Sequence, residues 1–209
     1  MTQAKKYPVT LDIDYPEKSD RLSTAFRLIL IIPIFIILAL LTNDGYNGEY
    51  VEDNEKWSFF LAGIIFIPTL LMILFRQKYP KWWFNFNVEL VKFGTRIGAY
   101  FFLLRDEYPS TDEEQAVHIS IPYPDAKNDL VNWMPLVKWF LAIPHVIILL
   151  FLWIGAIIGA IIAWFAILFI GEHPKGIHDF IVGVMRWTLR VEAYALLLTT
   201  DEYPPFSLK

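Results

Sequence analysis

Between Leu136 and Ile170 the chain runs through an apolar block interrupted only by Lys138 and His145. A membrane helix needs roughly 17 to 25 apolar residues, so this block is too long for one ordinary crossing and barely long enough for two. Gly155 and Gly159, near its middle, are the natural turn. Allowing about four residues for that turn leaves roughly fifteen per helix, or about 23 Å at 1.5 Å per residue. That is short of a hydrocarbon core of roughly 30 Å, so local thinning, snorkelling by Lys138 or a re-entrant hairpin must close the gap. Leu28 to Leu41 and Trp57 to Phe75 are two further candidate crossings. The overall hydrophobic fraction of 56% exceeds the roughly 45 to 50% of soluble domains, and it rules out disorder.

Charge gives this layout a direction. The acidic stretch Asn43 to Lys56 separates the first two crossings, whereas Lys18, Arg21, Arg27, Arg76, Lys78 and Lys81 flank their other ends. The positive-inside bias then puts both termini on the cytoplasmic side and the acidic loop outside. The first twenty-one residues mix basic residues and acids without an apolar core, which argues against a removable signal peptide. The net charge of −4 offers no footprint for nucleic acid, and zero cysteines exclude disulfides and thiolate chemistry.

The chain also matches itself. VTLDIDYP (Val9 to Pro16) aligns with VHISIPYP (Val117 to Pro124), RLILIIP ending at Pro33 with KWFLAIP ending at Pro144, and RIGAYFFLLRDEYP (Arg96 to Pro109) with RVEAYALLLTTDEYP (Arg190 to Pro204). Two segments follow, 1–110 and 111–209. The stretches at Val9 to Tyr15 and Val117 to Tyr123 alternate apolar and polar residues and end at Tyr-Pro, which reads as short strands free to pair with one another. Asn85, Glu89, Lys92 and Arg96 fall on one helical stripe, as do Asp179, Arg186 and Arg190. Arginines cost less at headgroup depth than at the bilayer centre, so these third helices read as amphipathic and interfacial. The expected fold is an all-α polytopic membrane protein with minor β, built as a tandem parallel repeat of strand, two-helix transmembrane hairpin and amphipathic interfacial helix.

The stretch AWFAILFIGEHPKGIHDFIVGVMRWTLRVEAYALLLTTDEYPPFSL, from Ala163 to Leu208, resembles the hallmark of domain-of-unknown-function family 4389. The likeness is sharper in the second half. In the first it is degraded to MILFRQ and KFGTRI, and the acidic loop is a departure. The resemblance implies a multi-pass bacterial protein of the cytoplasmic membrane and no particular reaction.

Candidate chemistry is sparse. Asp12 and Asp14 read as the solvated face of a strand, and His173 and His178 are spaced unlike a standard metal site. His145 reads as a neutral histidine bonded to a neighbouring helix, and Pro33, Pro68 and Pro144 read as kinks. Gly155, Gly159 and Ala163 can form a helix-packing face, an alternative to the turn. Six tyrosines precede prolines and mark element boundaries. No nucleophile elbow, phosphate loop or metalloprotease pair occurs, so neither catalysis nor a cofactor or metal is expected.

What remains is a basic and aromatic set: Lys92, Arg96, Arg186 and Arg190 with Trp82, Trp83 and Trp187. Each cation pair lies one helical turn apart and could hold a phosphate or carboxylate. The expected function is a non-catalytic accessory or scaffolding subunit of a larger membrane assembly. Its partners would be membrane lipids and other membrane subunits or further copies of itself. An anionic-lipid binding, sensing or translocating protein is the alternative, and a small transporter the second.

Overall fold

The structure is a computed structural model; it describes residues 7–42, 57–111, 113 and 115–209, with side chains left out at 39–42 and 57–65. The acidic loop therefore lies outside the described residues. Two strands and six helices follow in the order β1 (Thr10–Ile13), α1 (Arg21–Leu30), α2 (Ile32–Thr42), α3 (Trp57–Arg76), α4 (Lys81–Phe101), β2 (Val117–Ser120), α5 (Met134–Ile170) and α6 (Lys175–Ala195).

The strand expectation holds in a shortened form. β1 and β2 pair antiparallel, with Thr10 opposite Ser120 and Ile13 opposite Val117. Leu11 lies directly across from Ile119, its partner in the sequence match. The alternating pattern sends Leu11 and Ile13 inward, where they join Val9 and Val117 in the main core.

The expected hairpins are not what the chain builds. α5 is one continuous helix of 37 residues, about 55 Å long, that runs straight through Gly155 and Gly159. GAIIGAIIA contains no residue whose side chain competes for the backbone, and a glycine inside a helix costs only about 1 kcal/mol relative to alanine. The helix ends where a stop signal is present. Gly171 adopts a left-handed φ of 88° and donates its N–H to the Ile167 carbonyl, while Arg21 donates to the carbonyl of Ile170. Among the described residues, α5 is the single unbroken helix long and apolar enough to cross a membrane.

α1 and α2 qualify as a second span only if taken together, and they bend by 43° at Ile31. Pro33 supplies the cause, because it lacks an N–H and its ring crowds the carbonyl four residues back. Pro144 sits within α5 without breaking it. There the Tyr203 hydroxyl donates to the Leu141 carbonyl, one residue from the carbonyl at Phe140 that the proline leaves unbonded.

α4 and α6 stand where the third helix of each half is expected. Each has 21 residues and a proline as its N-cap, Pro80 and Pro174. α6 is the most enclosed element, wedged between α5 on one side and β1 on the other. Ile181, Val182, Met185 and Leu189 face the strands in the main core, whereas Val184, Trp187 and Val191 face Ala142 and Leu149 of α5. A stripe of small α5 residues permits this close approach. Ala156, Gly159 and Ala163 are buried, and Ile177 Cγ2 of α6 lies 3.1 Å from where a Cβ on Gly159 would stand. These residues are thus a packing face, the second of the two roles their spacing allowed.

Candidate functional site

The four candidate cations are held by the chain's own oxygen atoms. Arg96 is buried and donates to the Ser110 carbonyl at 3.0 Å. Arg190 is buried too; it donates to the carbonyls of Ser207 at 3.3 Å and Lys209 at 2.5 Å and stands over the Tyr7 ring. Arg186 donates to the carbonyls of Leu11 at 2.7 Å and Leu208 at 3.1 Å, with Asp12 at 3.5 Å. Lys92 pairs with Glu89 at 2.7 Å. The two α6 arginines therefore fasten the C-terminal segment and β1 to the helix. Gly183 permits this, since a Cβ there would meet both Cβ and the carbonyl oxygen of Leu208 at 2.9 Å.

The tryptophans separate into three settings. Trp82 is 70% exposed, Trp83 donates to the Thr69 hydroxyl at 2.8 Å, and Trp187 is buried and donates to His145 Nδ1 at 3.0 Å. They form no common surface with the arginines. His145 lies stacked on Phe206 at 4.0 Å between ring centroids, with Trp187 and Tyr203 also against it. Since Nδ1 accepts from Trp187, the ring proton belongs on Nε2, in keeping with a histidine bonded to a neighbouring helix.

His173 and His178 are buried with rings 5.6 Å apart, and Tyr15 packs edge-on against His178. Burial pushes both imidazoles below the ordinary histidine value. Among the described residues no three histidines, cysteines or carboxylates gather in a way that could hold a metal ion.

Two buried clamps escaped the sequence reading. In the first, Arg27 donates to the carbonyls of Tyr100 at 3.0 Å and Arg105 at 2.8 Å, pairs with Asp106 and covers the Tyr100 ring. In the second, Lys138 donates to the Thr200 carbonyl at 2.7 Å, pairs with Asp201 at 2.7 Å and lies 5.1 Å from the centroid of the Tyr194 ring. Each aspartate also accepts a backbone N–H from just before the helix that carries its cation: Asp20 N–H to Asp106, and Val131 N–H to Asp201. The cation and the aspartate of each clamp sit at matched positions, the cations opening RLILIIP and KWFLAIP and the aspartates within RDEYP and TTDEYP. The signal was in that alignment, which sets Arg27 against Lys138 and Asp106 against Asp201. The first clamp ties the last turn of α1 to the exit from α4, and the second ties the beginning of α5 to the exit from α6.

A third feature is an apolar cleft between α4 and α6, floored by Trp153 of α5, with a volume of about 430 Å³. It adjoins a second cavity of about 650 Å³ between α5 and α6, and Trp153, Thr188, Glu192 and Leu196 line both. Glu192 is partly exposed to this space, and burial among apolar groups pushes its carboxyl up to about 7. In the sequence it was merely one acid within RVEAY.

The long apolar helix places the protein among membrane-associated chains: little of its most apolar stretch is buried, unlike the core helix of a soluble domain. Residues 133–207 match the family model described as Domain of unknown function (DUF4389). The match takes in α5, α6, the Lys138–Asp201 clamp and Glu192, but not the α4 wall of the cleft. It does not extend to the first half of the chain. No curated protein and no solved structure matches the chain.

Proposed function

We propose that the protein is a non-catalytic accessory or scaffolding subunit that presents the outward face of α5 to another membrane protein or to a further copy of itself. One observation carries this reading. α5 buries a narrow stripe, Pro135, Lys138, Ala142, His145, Leu149, Ala156, Gly159, Ala163 and Ile167, and leaves large apolar side chains outward along its whole length. Phe140, Phe151 and Phe169 are 73, 67 and 77% exposed. An apolar face about 55 Å long exceeds what a bilayer core of roughly 30 Å can cover, which favours a protein partner over part of it.

Engagement of Arg96, Arg186 and Arg190 with backbone carbonyls supports this reading over an anionic-headgroup site, because guanidinium donors already bonded inside the fold gain little from a phosphate. A bacterial cytoplasmic membrane is the setting proposed, and it rests on the sequence resemblance alone.

Photo-crosslinking from residues 140, 151 and 169 in native membranes tests the proposal, with the buried position 149 as control. The expected result is one discrete protein adduct from the outward positions and none from 149. Lipid adducts alone from all three outward positions would overturn the accessory reading and return the lipid-binding alternative.

A further inference from the structure

We infer that the cleft between α4, α5 and α6 is a binding site for a free long-chain primary amine, whose ammonium sits on Glu192 and whose hydrocarbon body fills the apolar space. This goes beyond the subunit role and does not depend on it.

The argument begins with what the cleft offers. At about 430 Å³, with a neighbouring cavity of about 650 Å³, the space falls in the range of small-molecule sites. Its walls are aliphatic and aromatic: Val91, Met185, Leu189 and Leu197 on one side of Trp153, Val146 and Leu150 on the other. Among the described residues no ionisable group other than Glu192 lines either cavity, and Glu192 has no described hydrogen-bond or ion-pair partner. Desolvation alone perturbs its carboxyl, so no cation stands near enough to compensate it. A carboxyl held in such surroundings is short of a donor and a positive charge.

The other polar atoms point the same way. The Thr95 hydroxyl spends its proton on the Val91 carbonyl at 2.8 Å, and the Thr188 hydroxyl spends its own on the Val184 carbonyl at 2.9 Å. Trp153 Nε1 is used on Thr188 at 3.1 Å. With Glu192 ionised, as at pH 8, no free donor faces the cleft and its remaining polar oxygens are acceptors. A primary ammonium, with three N–H donors and a single charge, matches an acceptor-only site holding one carboxylate. A fatty acid would set carboxyl against carboxyl. A phospholipid with an amino headgroup would bring a phosphate into a space lined by no lysine or arginine, so the free amine fits and the phospholipid does not.

Titration calorimetry of the full chain in maltoside detergent tests this with octylamine as probe, beside octanol, octyltrimethylammonium and a dihexanoyl ethanolamine phospholipid. At pH 8 octylamine should bind saturably and at least tenfold more tightly than each of the others. Glu192→Gln should weaken octylamine at least tenfold while leaving octanol unchanged. Lowering the pH from 8 to 6 should weaken octylamine for the native protein but not for the variant, since the carboxyl near 7 takes up a proton. A second variant guards against misfolding of the first. Gly94 lines the cleft and a Cβ there meets nothing within 4 Å, so Gly94→Leu projects its side chain from open space and should abolish binding while thermal stability holds. The proposal is overturned if octylamine and octyltrimethylammonium bind alike, if the ethanolamine phospholipid binds as well as octylamine, or if Glu192→Gln or Gly94→Leu leaves octylamine affinity intact.

Discussion

Replacing Lys138 by methionine probes the clamp that holds the start of α5. Methionine keeps an unbranched chain of similar volume in the buried stripe and removes only the ammonium. That ammonium has no solvent exposure, lies 2.7 Å from Asp201 and donates to the Thr200 carbonyl at 2.7 Å. Removing one partner of a buried pair costs about 3 to 5 kcal/mol, because the other charge is stranded. Asp201 retains the Val131 N–H at 2.7 Å and its side chain is 16% exposed, which places Lys138→Met near the lower end, at about 3 kcal/mol. The double variant Lys138→Met with Asp201→Asn removes the stranded charge and keeps an acceptor for Val131. It should recover about 2 kcal/mol relative to the sum of the single variants. Unfolding followed by helical circular dichroism, as dodecyl sulfate is raised in maltoside micelles, measures all four proteins. A cost below about 1 kcal/mol for Lys138→Met, or strict additivity in the cycle, would refute the reasoning. Arg27→Met should follow the same course with a smaller penalty, since Asp106 is 27% exposed and retains the Asp20 N–H.

Other expectations rest on separate contacts. Gly183→Ala drives a Cβ into the Leu208 backbone and should expose the last residues to carboxypeptidase at a cost of about 1 to 3 kcal/mol, whereas Gly98→Ala meets only the mobile end of Met185 and should be nearly neutral in the same digestion. Arg190→Gln removes the bonds to Ser207 and Lys209, so it should lower the Tm and leave co-purifying anionic lipid unchanged; loss of lipid without loss of stability would restore the headgroup reading. Trp187→Phe leaves His145 Nδ1 without a donor and should cost about 1 to 3 kcal/mol, read by the same unfolding assay. His173 and His178 are depressed below the ordinary value of 6.5, so the unfolded chain takes up protons first and their stability, complete above that value, is lost as pH falls through and below it. The groups facing them are Arg27, Arg105, Asp12 and Asp179. The Tm should drop between pH 7 and 5, and His173→Gln with His178→Gln should flatten that drop.

Much of the local structure was legible from residue order alone. Alternation ending in Tyr-Pro marked the strands β1 and β2. These signals are short-range, set by side-chain period and by what proline and glycine do to the backbone beside them. The same short range misled at Gly155 and Gly159. A pair of glycines in an apolar run is compatible with a turn or with a packing face, and only α6 lying on that surface decided for the face. The sequence likewise showed that Arg186 and Arg190 share a helical stripe, but not that the carbonyls of residues 207–209 would come back to meet them. Glu192 is the clearest case. Residue order marks an acid on a helix, and whether that acid meets water, a cation or an empty apolar cleft depends on how α4, α5 and α6 pack, because solvation is a property of the assembled neighbours and not of the residue.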